Sequence, residues 1–293
     1  MKKILFILLL LSLTLVLLAA CGGTLPTDNG DATEDGNTAG GNTAGGTDAG
    51  NGDEDASTPP APLMEAKLFY ELTEDGEGYI VVHNSELNAV TATVPATYEG
   101  KPVVGIGDGA FKDNTALMSI TLPDSITSIG RWAFFGCTSL ISFNLPTEVT
   151  AIGDWAFYNC YNLATFTASD KITSIGTQAF YGTAYYNKAD NWEDGVLYLG
   201  TYLVNARLNI TECSVKEGTA FIAGSAFNSC TSLASVSIPE SVTHIGVGAF
   251  FSCTALTEIR YAGTSAAWEN TVNKAMYWDM EAGDYTVICS DTN

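Results

Sequence analysis

The sequence predicts a β-rich α/β solenoid: a right-handed stack of about six 23-residue coils, opened once by a hairpin insertion and closed by terminal caps. Three observations predict it. Ile106, Ile129, Ile152 and Ile175 stand 23 residues apart, as do Ile222 and Ile245, and Phe111, Phe134, Phe157, Phe180, Phe227 and Phe250 keep the same beat, each behind an alanine. A period of roughly 20 to 50 residues belongs to stacked coils, none of which can bury its apolar face alone. Runs such as Ser119-Ile120-Thr121-Leu122 and Ser142-Phe143-Asn144-Leu145 alternate polar and apolar residues, the period of a strand. A glycine follows the isoleucine in most periods (Gly130, Gly153, Gly176, Gly246) and turns the chain into a helical turn that carries the Ala-Phe pair.

From the amino end, residues 1–20 read as an export signal. Lys2 and Lys3 precede an apolar run from Ile4 to Leu18 that is too short for a permanent span, and Leu18-Ala19-Ala20 leads to Cys21. This resembles a bacterial lipobox, which implies cleavage before Cys21 and acylation of its thiol; two or more acyl chains anchor stably where one is marginal. Residues 22–62 are Gly, Asn, Thr, Ala and Asp closing on Ser57-Thr58-Pro59-Pro60-Ala61-Pro62, with no basic residue. With Cys21 they make an acidic tether, residues 21–62, with too little apolar surface to offset the entropy of ordering. Asp31-Ala32-Thr33-Glu34-Asp35-Gly36 begins like a calcium loop, but position twelve is Asn42 rather than the bidentate Glu such a loop needs.

Residues 63–102 are expected to cap the amino end. Leu68–Leu72 and Tyr79–Val82 flank the Asp75-Gly76 turn signal and read as a hairpin covering the raw end of the stack. Coils then start near Val103, Ile126, Val149, Ile172, Thr219 and Val242, so the repeats occupy 103–264. The step from Ile175 to Ile222 is 47 residues, two periods plus one, which places an insertion at 183–216. Its runs Val196–Leu199 and Tyr202–Asn205 meet across Gly200-Thr201, a two-residue hairpin signal. Residues 265–293 are the expected carboxyl cap. Cys137, Cys160, Cys230 and Cys253 share one repeat position. Equivalent atoms one coil apart lie about 4.8 Å from each other, beyond the roughly 3.5–4.5 Å a disulfide wants, which favours a ladder of buried thiols.

The run Ile129-Gly130 … Ala133-Phe134 … Cys137 … Leu140 … Phe143 … Leu145-Pro146 resembles the BspA-like class of bacterial leucine-rich repeat. The pattern covers about residues 66–293 and departs from the class at Thr167-Ala168-Ser169, which lacks Leu-Pro, and at Asn114 and Thr183, which replace the Cys. The resemblance implies a leucine-rich-repeat solenoid displayed on a bacterial surface, adhesin-like, with host or neighbouring-cell surface proteins as partners.

The formal net charge of −21, two units more negative once Lys2 and Lys3 leave with the signal, repels nucleic acid and anionic lipid, and the remaining Lys and Arg are scattered singly. No nucleic-acid partner is expected, and the membrane is met only through the lipid on Cys21. With two histidines, His83 and His244, and no convergent nucleophile, base or ligand set, no catalytic residue, metal or cofactor is expected. Two ligand surfaces remain open. The out-facing ladder residues Ser119, Thr121, Ser142, Asn144, Thr165, Thr167, Ser235, Ser237, Glu258 and Arg260 share one side by the period-two rule. On the turn side, Trp132, Phe135, Trp155, Tyr158 and Tyr181 form an aromatic row. The ladder is favoured because it is broad and because Glu258 and Arg260 supply charge contrast. A polysaccharide-binding role is the alternative to protein binding.

Overall fold

The computed structural model describes residues 64–270 and 272–292. The signal, Cys21 and the whole tether lie outside these residues. Within them the chain is a β-solenoid with two faces of short strands, about 23 residues per turn.

The ladder face has eight rungs rather than the five legible in the repeats: Thr91–Thr93, Ser119–Thr121, Ser142–Asn144, Thr165–Thr167, Glu212–Ser214, Ser235–Ile238, Glu258–Tyr261 and Thr286–Cys289. Three come from segments without the full repeat pattern. Thr91–Thr93 pairs in parallel with Ser119–Thr121, Glu212–Ser214 with Ser235–Ser237, and Thr286–Cys289 with Glu258–Tyr261. The opposite face carries two-residue strands such as Ser128–Ile129, Ala151–Ile152 and Ser174–Ile175 in parallel register. At the amino end Leu68–Leu72 and Tyr79–Asn84 form the expected antiparallel hairpin, and its second strand continues the stack onto Lys101–Ile106.

Between the faces runs one core. Phe111, Phe134, Phe157 and Phe180 stack nearly coplanar at 5.2–5.6 Å, and Phe227 stacks on Phe250 at 4.8 Å. All six are buried. The shared cysteines are free thiols, as their spacing suggested, and three of them donate to the carbonyl of the core phenylalanine one coil earlier: Cys137 to Phe111 at 3.1 Å, Cys160 to Phe134 and Cys253 to Phe227 at 3.0 Å. The repeat thereby satisfies a backbone acceptor with a weak donor in a dry interior. At the carboxyl end Trp278 meets Phe250 edge-on at 5.7 Å, with Trp268 and Tyr285 packed around it, so the stack of rings ends against indoles.

The turn that carries Ala-Phe is not helical. It holds two residues in the left-handed region per coil, Trp132 (φ 53°) and Gly136 (φ 70°) in one, Trp155 (φ 53°) and Asn159 (φ 58°) in the next. The glycine after Ile129, Ile152, Ile175 and Ile245 is required for a different reason than turning. A Cβ on Gly153 would lie 2.6 Å from the carbonyl carbon of Gly130 and the amide nitrogen of Arg131, so only glycine lets successive coils approach.

The insertion does not project from the stack. Val196–Leu199 and Tyr202–Ala206 pair across Gly200 (φ 60°) as predicted, but their side chains are almost entirely buried. Leu203 pairs in parallel with Ile222, so the 47-residue step is one long coil of 28 residues followed by a short one of 19. Where a ladder rung would fall in the long coil, the chain forms a helix, Ala184–Asn187, capped by Thr183. Both sheets and the stack of core phenylalanines break here. The ladder stops at Thr165–Thr167 and resumes at Glu212–Ser214, and the opposite sheet stops at Ser174–Ile175.

Candidate functional site

The ladder residues face outward as the alternation requires. Ser119, Thr121, Ser142, Asn144, Thr165, Thr167 and Arg260 are exposed; Ser235, Ser237 and Glu258 are half-buried. They do not form one hydrogen-bonded surface. The first six lie on two separate pairs of strands, and the last four on a four-stranded sheet beyond the insertion. In that sheet Ser214, Ser237, Arg260 and Ile288 are register partners across four rungs. They line a groove of about 740 Å³ with Pro239, Ala262 and Glu217 among its walls. Ser214 and Ile288 were not among the predicted residues, because neither stands in a recognisable repeat.

The charge contrast expected of Glu258 and Arg260 is reduced by their own pairing: the Arg260 Nε donates to the Glu258 carboxylate. Two residues apart on a strand they share a face, so the pair forms within one rung. The Arg260 side chain remains 65% exposed. What it offers a ligand is its outer nitrogens.

On the turn side the aromatic row is a physical stack. Phe135, Tyr158 and Tyr181 lie 5.2 Å apart from ring to ring, with interplanar angles of 2° and 20°. The sequence did not reveal that the insertion prolongs it. Tyr186 packs on Tyr181 at 5.0 Å, Trp192 on Tyr186 at 5.1 Å, and the Arg207 guanidinium covers Trp192 at 4.4 Å. At the other end the Lys112 ammonium lies 5.5 Å from the Phe135 centroid. Trp132 and Trp155 form a second file at 5.6 Å, with Arg131 over Trp132 and the Trp155 indole donating to Gln178 at 3.3 Å. Along Phe135–Tyr158–Tyr181 each ring covers the face of its neighbour, so these three present mainly edges to solvent, which disfavours the flat stacking a sugar ring requires; Tyr186 is tilted 49° to Tyr181, and Trp192 stands edge-on to Tyr186. Phe135, Tyr158 and the tryptophans are half-buried and Tyr181 is exposed, so the row is partly packed and partly open to solvent.

The thiols are poor nucleophiles. Burial pushes Cys160, Cys213 and Cys253 up to about 12 and Cys230 up to about 11. Among the described residues no three His, Cys, Asp or Glu side chains converge as a metal site requires, and no helix is long and apolar enough to cross a membrane.

A family model for the BspA-type leucine-rich repeat region matches six copies over residues 104–203 and 190–274. The chain belongs to the BspA-type leucine-rich repeat family. The family match spans both repeat blocks and runs through the insertion. Among solved structures this BspA-type chain is similar to a T. pallidum leucine-rich repeat protein (23% identity, 79% of this chain and 84% of the other, TM-score 0.38). It is also similar to one from Bacteroides capillosus (27% identity, 41% and 91%, TM-score 0.37) and to a leucine-rich cell surface protein from Faecalibacterium prausnitzii (20% identity, 75% and 94%, TM-score 0.27). No curated protein matches the chain.

Proposed function

We propose that this BspA-type chain is a lipid-anchored surface protein whose solenoid binds other proteins, adhesin-like and without catalysis of its own, through the ladder face. The observation that carries the reading is the groove across Ser214, Ser237, Arg260 and Ile288. It crosses four rungs, about 14 Å at ~4.8 Å per step, a contact length suited to an extended or loop segment of a partner. Membership of a leucine-rich repeat family supports an interaction role, since stacked coils present long surfaces and few deep pockets. Partners on host or neighbouring cells follow from surface display, which rests on the signal segment and Cys21.

Two measurements test this. The Cys21→Ala chain should fail to incorporate labelled palmitate and should leave the membrane fraction; continued labelling would refute the anchor. Full-length protein should capture matrix or cell-surface proteins, and Ser237→Asp with Arg260→Glu should weaken that capture while circular dichroism stays native. Capture of glycans alone would move the chain to the polysaccharide-binding alternative.

A further inference from the structure

We infer that the turn side carries a second protein-docking surface, independent of the ladder groove, that takes an apolar segment bounded by acidic residues. The surface is the ridge Phe135–Tyr158–Tyr181–Tyr186–Trp192 between Lys112 and Arg207.

Stability alone does not require this row. Lys112 and Asn228 occupy the same repeat slot as Phe135, Tyr158 and Tyr181, so a coil folds with a polar residue there. Apart from Phe251 beyond the insertion, the aromatic residues of this slot are nevertheless consecutive, in three adjoining coils, and the insertion adds two more that extend the row. Rigid aromatic side chains held by their neighbours lose little freedom when a partner covers them, which is why such residues dominate interface energies. The faces of Phe135, Tyr158 and Tyr181 are occupied by one another and Arg207 covers Trp192, so along this part of the ridge the contact offered is a strip of edges, matched by aliphatic side chains rather than by sugar rings.

Charge selects the occupant. The chain is strongly acidic, yet both ends of the ridge are cationic. Among the described residues neither Lys112 nor Arg207 belongs to an ion pair; the ion-paired cations are Arg131, Lys171, Lys216 and Arg260. Each cation rests on a ring and keeps its donors toward solvent. A partner segment with carboxylates at its two ends and apolar residues between them complements this pattern, whereas a basic segment meets like charge at both ends.

The test is a phage-displayed dodecapeptide library panned on the immobilised full-length chain and on its Lys112→Glu/Arg207→Glu variant. Sequences with an apolar centre flanked by Asp or Glu should be enriched on the native chain. Their synthetic peptides should bind at least about tenfold more weakly to the charge-reversed variant, a difference of one decade in Kd. Phe135→Asn with Tyr158→Asn, which places the Asn228 residue type in both slots, should abolish binding while circular dichroism stays native. Ser237→Asp with Arg260→Glu should leave it intact. Enrichment of basic or uncharged peptides, equal binding to the charge-reversed variant, or loss of binding with the ladder variant would each overturn the proposal. So would enrichment of nothing on the native chain, self-association that Phe135→Asn with Tyr158→Asn dissolves, or capture of anionic vesicles by the native ridge.

Discussion

Phe157→Ala probes the core stack at its most connected point. The ring is fully buried and lies parallel to Phe134 at 5.3 Å and Phe180 at 5.6 Å, with Phe143 at 4.7 Å and Phe166 at 5.2 Å meeting it edge-on. Truncating a buried phenylalanine costs about 3–5 kcal/mol through lost burial and the cavity left behind. Aromatic pairs add about 0.5–1.5 kcal/mol each beyond burial, so four lost pairs place this site at the upper end, about 4–5 kcal/mol. Phe227 offers an internal comparison. Its only ring partner among the described phenylalanines is Phe250, at 4.8 Å, so Phe227→Ala should cost about 3 kcal/mol. Thr121→Ala, on an exposed rung, should stay within about 0.5 kcal/mol. Urea unfolding of the three variants gives the order, and hydrogen exchange gives the place. Because the ring stack and both sheets are interrupted at the insertion, Phe157→Ala should raise exchange in residues 103–182 and leave 221–261 protected. A Phe157→Ala chain no less stable than Thr121→Ala, or one that loosens both blocks equally, would refute the stacking argument.

Further outcomes follow from the thiol row. Asn114 stands where other coils place a cysteine, is fully buried, and neither polar atom of its side chain has a hydrogen-bond partner. Asn114→Cys should therefore stabilise the fold by about 1–3 kcal/mol, read as a higher urea midpoint; an unchanged or lower midpoint would show that the amide is satisfied. Burial raises the thiol pKa values of Cys160 and Cys253 from 9.0 to about 12. The folded state thus favours the neutral thiol, and the stability this contributes is complete below about pH 9 and is lost as pH climbs towards the folded-state value. Melting temperature should fall between pH 9 and 11, and the fall should be shallower in Cys160→Ala/Cys253→Ala. An identical slope in that variant would assign the alkaline loss to other groups.

The sequence by itself determined the repeat: the spacing of isoleucine, alanine and phenylalanine, the alternation of the rungs, the shared thiol position and the outward face of residues such as Ser142 and Asn144. These are legible because each coil meets the same neighbours, so one solution to burial is written six times and its period survives changes at any single position. What the tertiary structure decided lies where that repetition fails. Thr91–Thr93, Glu212–Ser214 and Thr286–Cys289 become rungs without the full motif, because a strand beside an existing strand needs mainly hydrogen-bonding backbone and alternating burial, which short segments of many compositions supply. The 28- and 19-residue coils were concealed inside one irregular interval, and only pairing of Leu203 with Ile222 separates them. Glu258 and Arg260 were visible as a charge contrast, but their mutual ion pair depends on side-chain rotamers that spacing does not specify. The aromatic row was visible to Tyr181 and no further. Tyr186, Trp192 and Arg207 join it through the path of a non-repeating insertion, and contacts made by a unique path leave no period in the sequence from which to read them.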